Sequence, residues 1–125
     1  MKTLLTFVLI IMAFADQPRK VLLFYKSDGQ QQWKKQLEVL ETARKGLNER
    51  DIVITSIPFS DKNGSSQNSE QWKKFKVDTS AAFTFILVGR DGGEKLTSAE
   101  IVTVEKLFGL IDAMPMRQRE AGKEK

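Results

Sequence analysis

The chain has 125 residues, with 20 Lys+Arg against 16 Asp+Glu and a formal net charge of +4, and it contains neither cysteine nor histidine. Thiol nucleophiles, disulfides, cysteine metal ligands and imidazole bases are thereby excluded. Positive and negative residues alternate along most of the sequence, which argues against the clustered basic stripe of a nucleic-acid binder.

The chain opens with Lys2, an apolar run from Leu4 to Ala13, and Ala13-Phe14-Ala15. A positive start, a short apolar stretch and a small-x-small site predict a secretory signal peptide over 1–15. The run is too short for a stable membrane span, which needs about 20 apolar residues. Cleavage after Ala15 would leave an exported chain, periplasmic or extracellular. It would lose Lys2 and carry 19 basic against 16 acidic residues, or +3. Without disulfides, its stability must come from packing.

Val21-Leu22-Leu23-Phe24-Tyr25 is a continuous apolar run and predicts a strand buried on both faces. Lys26-Ser27-Asp28-Gly29 breaks it, and Ser27 and Asp28 are expected to cap the next helix. That helix is predicted over 30–48, with Trp33, Leu37, Leu40, Ala43 and Leu47 in one apolar stripe. Glu41 and Lys45 are an expected i,i+4 pair. A second strand follows over 52–57, stopped by Pro58. The strand–helix–strand spacing predicts a parallel pair.

Residues 59–69 read as a polar loop, and Asn63-Gly64-Ser65 fits a glycosylation acceptor. A short helix is expected over 70–75, capped by Asn68 or Ser69, with Trp72 and Phe75 turned to the core. Phe83 to Val88 is a third, fully apolar strand. Gly89-Arg90-Asp91-Gly92-Gly93 is a turn signal, and Glu94 to Thr97 is the short, charged return strand of a sheet edge. The last helix is expected from Thr103 or Val104 to Ala113, ended by Met114-Pro115. A domain over 16–118 and a charged, frayed tail over 119–125 complete the chain.

The order β-α-β-α-β-β-α, with the first and third strands central, is an α/β, thioredoxin-like plan with a four-stranded mixed sheet flanked by helices. Phe83 to Leu96, and above all Asp112-Ala113-Met114-Pro115-Met116-Arg117, resemble a bacterial family catalogued as domain-of-unknown-function family 4174. The resemblance implies a thioredoxin-like fold and an extracytoplasmic setting, with a likeness to modules of secreted animal matrix proteins. It implies no established activity. Members often carry proline shortly before the third strand, where thioredoxin-like proteins place a cis-proline. Here Asp78-Thr79-Ser80-Ala81-Ala82 has none, so a trans backbone is expected.

In this plan the redox pair sits between the first strand and its helix, where free N–H groups lower a thiol pKa. This chain has Ser27-Asp28-Gly29-Gln30 there, which excludes dithiol chemistry. Ser27 and Asp28 could hold an anion at the helix N-terminus or only cap it. Asp28, Asp61, Asp78 and Asp91 all lie in predicted loops, where paired carboxylates could hold Ca²⁺ or act as acid and base; their spacing matches no calcium loop, and they read as surface turns. Arg90, Arg117 and Arg119 could form a basic recognition patch, or salt bridges with Asp91, Asp112 or Glu120. Met114 and Met116 read as packing residues. No cofactor or metal is implied. Three functions follow: a redox-inactive module that binds a protein or envelope component; a hydrolase or ligand-binding protein using Ser27 and Asp28; or an accessory factor to a partner that supplies cysteines.

Overall fold

The computed structural model describes residues 17–59 and 66–124. The signal peptide, its cleavage site, Asp61 and the Asn63-Gly64-Ser65 acceptor lie outside the described residues. Four strands form one sheet, β1 (Arg19–Tyr25), β2 (Ile52–Pro58), β3 (Phe83–Val88) and β4 (Glu94–Ser98), in the order β2-β1-β3-β4. β1 runs parallel to β2, with Val21 opposite Ile54, and antiparallel to β3, with Leu22 opposite Ile86. β3 and β4 pair antiparallel, with a register shift at Leu87/Val88.

The apolar composition of β1 and β3 follows from this order. Both are inner strands, and side chains on both of their faces are buried. Val21, Leu23, Phe85 and Leu87 join Leu40, Leu47, Leu107 and Ile111 in one core. Leu22, Phe24, Ile86 and Val88 join Ile57, Trp72 and Val77 in the other. β2 and β4 are edges and alternate accordingly, with Val53 exposed on β2.

The first core is covered by α1 (Gln30–Glu41), α2 (Arg44–Glu49) and α4 (Val104–Asp112). The single helix predicted over 30–48 is therefore two. The break falls at Thr42–Ala43, where the Thr42 hydroxyl donates to Val39 O at 2.6 Å and Ala43 leaves helical geometry. Glu41 pairs with Arg44 rather than Lys45. The second core is covered by α3 (Ser66–Lys74), which starts before the expected caps Asn68 and Ser69. α4 begins as expected, with the Thr103 hydroxyl accepting the Lys106 N–H at 3.2 Å.

Pro115 does not end the helical structure. It opens a further helix, α5 (Pro115–Glu124), which takes in residues 119–124 of the charged tail. Proline suits a first helical position because the N–H it lacks would have no partner there.

Candidate functional site

The C-terminal end of β1 leads into a tight corner. A 3-10 turn, Ser27–Gly29, joins it to α1, and the Gly29 N–H donates to Lys26 O at 2.9 Å. The corner is pressed onto the segment before β3. The Lys26 N–H donates to Ala82 O at 2.9 Å, and its Nζ donates to Thr79 O at 2.8 Å. A Cβ on Gly29 would stand 2.0 Å from that same Ala82 O, so only glycine fits. The described residues contain no cis peptide bond, and the backbone before β3 is trans.

Ser27 and Asp28 are exposed on this corner, and neither side chain caps α1, whose N-cap is Gly29. The predicted cap is absent because the 3-10 turn places both residues one turn ahead of the helix proper. Beside the corner, the Tyr25 and Trp33 rings stack at 4.4 Å and 9°, and Trp33 Nε1 donates to Ser56 Oγ at 2.7 Å. Asp78 Oδ1 accepts from Ser80 Oγ at 2.6 Å and from its N–H at 2.9 Å. These hydrogen bonds hold the Asp78 carboxyl below the usual range.

The opposite end of β1 holds an ionic lattice. Arg19 is 1% exposed, donates to Arg50 O at 2.8 Å and pairs with Glu120 at 3.1 Å. Arg90 bridges Glu120 at 3.0 Å, Asp51 at 2.9 Å and Gln17 O at 2.9 Å. Arg50 grips Asp112 with two bonds of 2.9 Å while its guanidinium lies 3.8 Å from the Phe108 ring centre. Arg117 is buried, donating to Glu49 O at 3.2 Å and lying 3.7 Å from Asp112. Burial works against charge on Glu120, but the hydrogen bonds from Arg19 and Arg90 outweigh it and lower its pKa. The hydrogen bonds from Arg50 lower that of Asp112. Burial also opposes the Arg90 charge, yet Glu120 and Asp51 raise its pKa further.

The six sequence-predicted residues therefore do not form one site. Ser27 and Asp28 sit at one end of β1; Arg90 and Arg117 sit in the lattice at the other, about 20 Å away over seven strand residues. Asp91 closes the hairpin, accepting from the Gly93 N–H at 2.9 Å and from Lys95 Nζ at 3.0 Å. Arg119 is exposed on α5. Arg90 and Arg117 are thus both engaged in ion pairs, with Glu120 and Asp51 and with Asp112. Sequence reasoning missed Arg19 and Gln36. Gln36 is fully buried, donating to Val102 O at 2.9 Å and accepting from its N–H at 2.8 Å. Its position three after Trp33 and four before Leu40 already puts it on the apolar face.

Among the described residues no cluster of acidic side chains is placed to hold a metal ion, and no helix is long and apolar enough to cross a membrane. The sequence profile of a family described as "Domain of unknown function (DUF4174)" matches residues 10–120. No curated protein matches the chain. Several solved structures do. Thioredoxin-2 of the malaria parasite, described as a component of its protein secretion machinery, is 22% identical, with 78% of this chain and 84% of that one covered and a TM-score of 0.56. The exposed lipoprotein thioredoxin of Streptococcus pneumoniae is 10% identical, with 82% and 89% covered and a TM-score of 0.58. StoA of Bacillus subtilis is 15% identical, with 74% and 81% covered and a TM-score of 0.53. At these identities the likeness establishes a thioredoxin-like fold.

Proposed function

This chain belongs to the DUF4174 family and has a thioredoxin-like fold, and from that premise we propose that it is an exported, redox-inactive module that binds a protein or envelope component through the β1–α1 corner. The observation that carries this is the corner itself. The position where the fold presents a thiol pair is kept, side by side with the segment before β3, but it is filled by Ser27-Asp28-Gly29 and sealed at Gly29. The corner keeps the place of the thiol pair and carries no thiol. Export is supported by the N-terminal apolar run with its Ala13-Phe14-Ala15 site.

The test is a pull-down from envelope extract with tagged residues 16–125, washed at low and then high salt. One protein is expected at equal stoichiometry. It should be lost from the Ser27→Arg/Asp28→Arg variant and kept by Arg119→Ala, which lies toward the opposite end of β1. A blank at both salts, or equal recovery by both variants, would overturn the proposal.

A further inference from the structure

The two edges of the sheet are built differently. β4 is short, reads Glu-Lys-Leu-Thr-Ser, and pairs with β3 through a register shift at Leu87/Val88. Charged residues and bulges are the usual devices that keep an edge from pairing with another chain. β2 is longer and reads Ile-Val-Ile-Thr-Ser-Ile-Pro, with no charge along it. Its middle is open. Val53 is 46% exposed, Thr55 is exposed, and Ile54 and Ser56 are half-buried. Val53 and Thr55 line a groove of about 530 Å³.

The backbone of β2 faces two ways. The Arg19 N–H donates to Asp51 O at 3.0 Å and the Phe59 N–H donates to Tyr25 O at 2.8 Å, so the odd-numbered residues of β2 bond to β1. Ile52, Ile54 and Ser56 therefore turn their N–H and C=O groups outward. Among the described residues no strand pairs with that edge. An antiparallel copy of β2 centred on Ile54 meets each of these groups, with Ile54 opposite Ile54 and Ile52 opposite Ser56. Pro58, with no N–H to donate, then lies opposite Arg50 of the second copy, outside its strand. Val53 lies opposite Thr55, which brings two exposed β-branched residues together, and no charge of the strand opposes another.

We infer that β2 pairs antiparallel with the β2 of a second copy of this chain, making a twofold dimer with one continuous sheet. The twofold consumes both open edges and leaves only the charged β4 edges outermost, so the assembly closes at two copies. One strand from each chain makes a small interface, so the dimer is weak, with a Kd of about 100 µM. The pairing uses no residue of the β1–α1 corner.

Sedimentation velocity of residues 16–125 from about 10 µM to about 1 mM, a range that brackets this Kd, should show monomer passing into dimer. Over the same range, amide hydrogen exchange at Ile54 and Ser56 should slow about fourfold as the monomer fraction falls, while exchange in β4 stays unchanged. Two variants at the exposed positions fix the register. Val53→Glu/Thr55→Glu sets like charges opposite each other across the twofold and should weaken the dimer about tenfold. Val53→Glu/Thr55→Lys sets opposite charges in the same places and should restore it. A chain still monomeric at the highest concentration would leave β2 to a strand of another protein and overturn the inference. So would exchange at Ile54 and Ser56 that ignores concentration, or equal dimerisation of the two variants.

Discussion

At Gly29 a hydrogen stands where any other residue would place carbon, 2.0 Å from Ala82 O. The contact is with backbone, so no rotamer change relieves it. Gly29→Ala must part the β1–α1 corner from the segment before β3, or break the Lys26 N–H bond to Ala82 O. We expect a loss of about 1–3 kcal/mol, the range for steric strain in a packed site, read as a lower urea midpoint at unchanged slope. Asp28→Ala, at an exposed residue that caps nothing, should fall within about 0.5 kcal/mol of wild type. The sequence shows a glycine after Ser-Asp but not the carbonyl that demands it, because Ala82 lies more than fifty residues on. The same blindness explains Arg90 and Arg117. Their partners Glu120, Asp51 and Glu49 are 30, 39 and 68 residues away, so charge alone could not separate a recognition patch from a lattice.

The elements were more legible than their joints. β1 and β3 announced themselves as unbroken apolar runs, and Asp-Gly-Gly placed the hairpin, with Gly92 at φ 83° in the turn. The break between α1 and α2 was hidden because the apolar stripe runs on through Leu47, which is buried on the same core as Leu40. α5 was hidden because proline after a helix reads as a stop as readily as a start. Gln36 ties α1 to the loop before α4 with two bonds to Val102, where an apolar residue would fit the stripe equally well. Gln36→Leu preserves bulk but strands a buried N–H and C=O. It should cost about 2–4 kcal/mol, more than Leu37→Ala on the half-buried flank, in the same urea experiment.

Across the whole molecule, the ionic lattice couples stability to pH. Glu120 and Asp112 titrate below their ordinary values of 4.5 and 3.8, so the folded chain binds fewer protons than the unfolded one in the acid range. Their contribution is complete above those values and is lost as pH falls through the lower folded ones. Unfolding free energy should be flat from about pH 6 upward on their account and fall below about pH 4.5. Glu120→Gln removes the partner of a buried arginine and should cost about 3 kcal/mol at neutral pH, with a shallower acid limb; an unchanged limb would show that Glu120 is not part of it. Arg90 holds Gln17 O and Glu120 at once. The polypeptide therefore enters its first strand and passes through its last helix at one end of β1, while Ser27, Asp28 and Thr79 lie toward the other. A chain tethered to a surface at either end, through a linker or a fused neighbour, would present the corner outward, away from the support.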